Sequence, residues 1–228
     1  MTELHEENSR ETQIRHAIFD ADGTILDSMP IWRDVGTRYL SQFGIRAEDG
    51  LYETLFPMTL EESSRYLKER YMLLKDPDEI RQGFVGIIEQ FYREEVQLKP
   101  GAAELLKRFY EKGIGLTVLS TGEEALLDAA LTRLNVRRYF GKILTCTGLG
   151  LTKRTPEIFL KAAEILQVRP QETVVFEDVL YAIESAEAGG FRTVAVSDPA
   201  NSGSFDRIRK TADLFIENFY DGRLFGLL

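Results

Sequence analysis

The sequence predicts an α/β protein: a doubly wound parallel sheet with a helical subdomain inserted after its first strand. Three observations carry this. Short runs rich in β-branched and aromatic residues recur along the chain. From the second run onward, each is followed by a segment that can hold a helix or crossover, the mark of βαβ units covered on both faces. The interval from residue 21 to 114 reads instead as continuous helix, far more than one crossover needs.

The first strand is "HAIFD" (16–20), directly followed by "ADGTILDS" (21–28). Pro30 then opens the inserted segment, in which Tyr66, Leu67 and Tyr71, and later Ile80, Phe84, Ile87, Ile88 and Phe91, follow helical spacing. Pro100 and Gly101 in "LKPG" (98–101) punctuate the return to the sheet domain. The expected division is therefore a core of residues 14–29 and 99–228 and an inserted helical subdomain of residues 30–98. The remaining strands are "GLTVLST" (115–121), "KILTCT" (142–147), "TVVFED" (173–178), "RTVAVS" (192–197) and "LFIEN" (214–218). Before the helix that follows the third strand, Thr155 is the expected cap, with Pro156 at the first helical position. Asp27, with Ser28, is expected to cap the first inserted helix.

Composition narrows the class. Acidic residues outnumber basic ones, 37 to 28, for a net charge of −9, the wrong sign for a nucleic-acid backbone partner. The basic runs "RRYFGK" (137–142) and "RIRK" (207–210) read as solvated faces. The single cysteine, Cys146, has no internal partner and is expected to be a small buried residue in a reducing compartment. The polar "MTELHEENSRETQIR" at the start lacks an apolar core, and no run approaches membrane-spanning length, so neither export nor membrane insertion is expected and a cytoplasmic location is. A monomer or weak homo-oligomer is expected. His5, in that polar stretch, and His16, at the start of a strand, are read as structural.

Ligands of open α/β sheets bind outside the carboxyl ends of the strands. Those ends carry Asp20 and Asp22 after the first strand, Ser120 and Thr121 after the second, Lys153 in the loop after the third, and Glu177 and Asp178 after the fourth. Taken singly, each has an ordinary reading: Asp178 as a helix cap, Ser120 as a satisfied hydroxyl, Lys153 as a surface charge. Taken together, they form a polar set converging from four strand ends. Crowded carboxylates raise one another's pKa and cost desolvation energy unless a cation or a reacting group uses them. An EF-hand loop does not fit, because Gly23 is fourth from Asp20 where such a loop needs its glycine sixth.

At these residues the chain resembles the haloacid dehalogenase superfamily, in the helical-cap branch that includes β-phosphoglucomutase and phosphoglycolate phosphatase. Four motifs stand in the family's order: "DADGTILDS" (20–28), "LTVLST" (116–121), "TKRTPEIF" (152–159) and "VVFEDVLYAIESAEAGGF" (174–191). The resemblance implies a Rossmann-like core with a helical cap and a magnesium-dependent phosphohydrolase acting on a small phosphorylated metabolite. In that scheme Asp20 is the nucleophile that becomes an aspartyl phosphate, and Asp22 is the general acid and base. Ser120, Lys153 and the amides of Ala21, Asp22 and Thr121 hold the phosphoryl oxygens. Asp20, the backbone carbonyl of Asp22, Asp178 and Glu177 hold Mg2+, Glu177 directly or through water.

Within the superfamily, Asp22 argues against dehalogenases and phosphonate-cleaving members, which lack an aspartate there. The mutase reading is weakened because Trp32 stands where β-phosphoglucomutase places a histidine, and "FPMTLEES" (56–63) offers no arginine for a second phosphate. Trp32 is expected to pack within the cap, as helical aromatic residues generally do, rather than face the site. Arg154 is expected to point to water. The family's usual Ser and Gly after the acidic pair are Val179 and Ala182 here. Length and the absence of an aspartate in "KILTCT" argue against a receiver-type phosphorylation switch, and the intact set of polar residues argues against a catalytically silent relative.

Overall fold

The computed structural model describes residues 13–227, so His5 lies outside it. The predicted doubly wound architecture is present. Six parallel strands run in the order β3-β2-β1-β4-β5-β6: β1 His16–Phe19, β2 Gly115–Ser120, β3 Lys142–Thr145, β4 Thr173–Glu177, β5 Arg192–Val196 and β6 Leu214–Ile216. Strand order reverses at β1, so β1 lies between β2 and β4 and its carboxyl end faces the crevice where ligands bind in such sheets. Phe19 pairs in register with Val118 and Phe176, so Asp20 emerges level with the ends of both neighbouring strands. The Phe19 and Phe176 rings stack at 4.3 Å beneath that edge, burying apolar surface directly under the charged residues.

Between β1 and β2 come α1 (Met29–Ser41), α2 (Leu51–Leu55), α3 (Leu60–Arg70), α4 (Pro77–Gln90) and a π-helix over Phe91–Glu95. Capping boxes start α3 (Thr59 with Glu62) and α4 (Asp76 with Glu79), satisfying amides that would otherwise be orphaned. The chain enters and leaves this segment through two neighbouring backbone runs: Leu26 bridges Leu98 in antiparallel sense, and the Asp27 N–H donates to the Gln97 carbonyl.

Several local expectations are corrected. Ser28 occupies the N-cap position of α1, but neither it nor Asp27 supplies a side-chain cap; Pro30 in the first turn fixes the helix start instead. Pro156 itself takes the N-cap position of the helix Glu157–Leu166, one residue later than expected, and Thr155 stays in the preceding loop. The third strand stops at Thr145, whose hydroxyl accepts from the Gly148 N–H, and half-buried Cys146 begins a short helix, Cys146–Leu149.

His16 is structural, as expected. Its Nε2 lies 3.0 Å from the Thr117 hydroxyl, and its ring packs so closely on Gly115 that a Cβ there would fall 2.3 Å from Nδ1. Burial lowers its pKa from 6.5 to about 4. Between those values the unfolded chain binds the extra proton, so the stability this shift contributes is complete above pH 6.5 and lost as pH falls to 4. The total is about 3 kcal/mol. Urea midpoints measured at pH 7.5 and 4.5 should therefore fall further for the wild type than for His16→Gln.

Candidate active site

Asp20 sits one residue past β1, and its N–H donates to the Phe176 carbonyl at 2.9 Å, tying it to β4. The chain then turns sharply through Gly23, whose φ is +80°. A Cβ at Gly23 would lie 2.4 Å from Asp178 Oδ2, so only glycine lets this turn close against β4. That approach lets the Thr24 hydroxyl donate to Asp178 Oδ1 at 3.1 Å. The other oxygen, Oδ2, accepts from Asn201 Nδ2 at 2.6 Å.

Lys153 crosses to the first and fourth strand ends. Its Nζ donates to Asp20 Oδ1 at 2.5 Å and to Glu177 Oε1 at 2.6 Å, all three side chains being buried. Glu177 Oε2 accepts from the N–H groups of Asp178 and Val179. Burial alone would depress the Lys153 ammonium, but the charges of Asp20 and Glu177 outweigh it and hold the pKa above its ordinary value. Burial pushes Glu177 up to about 7 against the opposing pull of Lys153. Asp178 is raised by burial and then by the charges of Glu177, Asp20 and Asp198.

Asp22 is the second aspartate of the turn. Tyr92, on the π-helix, donates its hydroxyl to Asp22 Oδ1 at 2.5 Å, and the buried Ser28 hydroxyl lies beside both without a well-directed bond to either. Burial and the neighbouring Asp20 raise the Asp22 pKa, with the Tyr92 hydrogen bond pulling the other way. The result is a carboxyl group that gives up its proton less readily than an ordinary aspartate. Gly122, just past β2, approaches so closely that a Cβ would lie 3.2 Å from Asp22 Oδ2 and 3.3 Å from Ser120 Oγ. Ser120 itself is fully buried, and its Oγ accepts from the Gly122 N–H at 2.9 Å.

The structure thus brings Asp20, Asp22, Lys153, Glu177 and Asp178 together, with Ala21 buried in the turn and Ser120 and Thr121 on the adjoining strand end. Oxygens of Asp20, Glu177 and Asp178 all lie within 4.8 Å of one another. Four carboxylates face a single lysine here, and hard oxygen donors this close together suit a divalent cation such as Mg2+. Glu177 differs from the other three in that its oxygens accept both from the Lys153 ammonium and from two backbone N–H groups.

Sequence reasoning missed four residues. Tyr92 reads as one more core aromatic on a helical stripe; the π-turn is what carries it onto Asp22. Asn201 lies on a 3-10 turn after β5 with no periodicity to mark it. Lys99 and Asp198 form a buried ion pair of 2.8 Å behind Asp178, joining residues far apart in sequence. Two expectations also change. Trp32 does not pack away within the helices: it is 40% exposed and lines the cavity over Asp20 and Asp22. Arg154 is exposed but stacks on the ring of Tyr181, 4.5 Å from its centroid, and Tyr181 lines the same cavity.

Comparison with known proteins agrees with this arrangement. Residues 17–196 match the family model of haloacid dehalogenase-like hydrolases. The chain belongs to that family. Fructose-1-phosphate phosphatase YqaB of Escherichia coli K12 is 26% identical to it over 179 residues, covering 78% of this chain and 94% of that protein. Hexitol phosphatase A of the same organism is 26% identical over 195 residues, covering 84% and 87%. A solved structure from Thermotoga maritima, assigned as a β-phosphoglucomutase, superposes with a TM-score of 0.80 at 23% identity, covering 89% of this chain and 94% of that one. Within the hydrolase family, phosphatase relatives of matching length place the chain among the phosphoric monoester hydrolases.

Proposed function

We propose that this hydrolase removes phosphate from a small phosphorylated metabolite, a sugar phosphate or similar monoester, through an aspartyl phosphate on Asp20 and with Mg2+ as cofactor. The observation that carries the reading is the pairing of Asp20, held by Lys153, with Asp22, a carboxyl of raised pKa, at the floor of one cavity. The names of the fructose-1-phosphate and hexitol phosphatases support the substrate class. Residues 30–98 act as the cap, closing over the core of residues 14–29 and 99–228 and excluding water during transfer.

Asp20 attacks phosphorus, forming the Asp20–phosphorus bond as the bond to the leaving alkoxide breaks. Asp22 gives its proton to that alkoxide, then takes one from the water that hydrolyses the acyl phosphate, returning Asp20 to its carboxylate. Lys153 and Ser120, with the amides of Ala21, Asp22 and Thr121, hold the phosphoryl oxygens where charge develops. Asp20, Asp178 and the backbone carbonyl of Asp22 would hold Mg2+, with Glu177 as an outer partner that also fixes Lys153. Bound there, Mg2+ neutralises carboxylate charge and polarises a phosphoryl oxygen.

Tyr92 orients Asp22. Tyr92→Phe is expected to lower kcat roughly tenfold with little change in KM, because it removes one hydrogen bond to the proton-transfer group. Steady-state kinetics on any accepted monoester checks this. The overall reading is tested by phosphate release from a panel of monophosphates with Mg2+ and with chelator. Release that requires Mg2+ is expected. Interconversion of phosphosugars given a bisphosphate primer, without phosphate release, would make the enzyme a mutase instead.

A further inference from the structure

The cavity over Asp20 and Asp22 has a volume of about 470 Å³, and its character changes with height. The floor is polar, whereas the walls above it are built by Met29, Trp32, Leu60, Val85, Ile88 and Leu126. The polar side chains on those walls are two acids, Glu89 and Glu123, and the Tyr181 hydroxyl. A second cavity of about 420 Å³ adjoins the first, and Met29, Trp32 and Leu60 border both. Its own lining is apolar except for Ser63, and includes Phe56, 60% exposed, and Met58. Among the described residues, Lys153 is the one cation lining either chamber.

We propose that the preferred substrate is a phosphate monoester whose leaving alcohol is a predominantly apolar body, lying along the Trp32 wall of the first chamber and reaching toward Met58 in the second. This rests on the phosphatase reading above and departs from the sugars and hexitols that the relatives' names suggest. In the second chamber, where Ser63 is the one hydroxyl among the lining side chains, a polyol would bring several hydroxyls against methyl, thioether and aromatic groups. Each hydroxyl buried without a partner costs about 1–3 kcal/mol. A second phosphate would meet Glu89 and Glu123 with no cation to receive it. An apolar carbon skeleton meets neither penalty, and methionine and leucine side chains adapt readily to a chain or a ring.

The shared chemistry is apolar bulk, and a chain and a ring are separable sources of it. Initial rates in saturating Mg2+ are measured on ethyl, octyl, benzyl and hexitol monophosphates, with Met58→Lys assayed beside the wild type. Each methylene taken fully out of water is worth about fourfold. The wild type is expected to favour octyl over ethyl phosphate at least tenfold in kcat/KM, and to handle the hexitol ester no better than ethyl. Met58→Lys should reduce the octyl-to-ethyl ratio at least fivefold. Benzyl phosphate rivalling octyl would identify a ring as the body, whereas octyl far ahead would identify a chain; both support the assignment. A hexitol ester that outperforms octyl, an octyl-to-ethyl ratio near one, or a ratio untouched by Met58→Lys overturns it while leaving the phosphatase reading intact. No release from any of these esters, nor from acetyl phosphate added as an activated phosphoryl donor, overturns the phosphatase reading and the substrate assignment together.

Discussion

Asp20→Asn is expected to lower turnover by roughly 10⁴-fold or more, because the amide is too weak a nucleophile to form the acyl phosphate and no neighbour replaces it. The substitution keeps the shape of the side chain and an oxygen able to accept from Lys153, so the fold should survive. Circular dichroism and an unchanged elution volume would show that it does. Residual activity within tenfold of the wild type would mean that Asp20 does not attack phosphorus.

Lys153→Met is expected to damage both stability and activity. The lysine is 3% exposed and is the partner of two buried carboxylates, Asp20 and Glu177. Removing one member of such a set leaves uncompensated buried charge, which costs about 3–5 kcal/mol. In metal-free protein the urea midpoint should drop accordingly. Adding Glu177→Gln to the variant should recover part of that loss, since one of the stranded charges is then gone. Turnover should not recover with it, falling roughly 10³-fold in both variants, because the cation that meets developing phosphoryl charge is missing. Recovery of activity alongside stability would confine Lys153 to a structural role.

The parts of the molecule that were legible in sequence are those whose signal is local. Strands β1, β2, β4, β5 and β6 are continuous β-branched or aromatic runs, and their polar ends stand beside them in the chain. Asp20, Asp22, Glu177 and Asp178 could therefore be placed at one sheet edge before any coordinates. What escaped depends on contacts between distant segments or on one irregular turn. Tyr92 reaches Asp22 across 70 positions because a π-helix, and not the expected regular helix, ends the inserted segment. The Lys99–Asp198 pair spans 99 positions. Helical spacing shows that Trp32 is on a helix, but not that its face turns toward the catalytic floor rather than into the neighbouring helices. The expected caps at Asp27 and Thr155 failed because prolines, Pro30 and Pro156, set those helix starts without a side-chain bond.

The central claim is that phosphoryl transfer passes through Asp20. Wild-type enzyme mixed with an accepted monoester and Mg2+ and quenched in acid within milliseconds should carry the mass of one phosphoryl group on the peptide containing Asp20. The label should be absent from Asp20→Asn, and in Asp22→Asn, which cannot activate water, any label that forms should outlast that of the wild type. A wild-type enzyme that releases phosphate yet never carries label on that peptide, or carries it on another residue, would contradict the account.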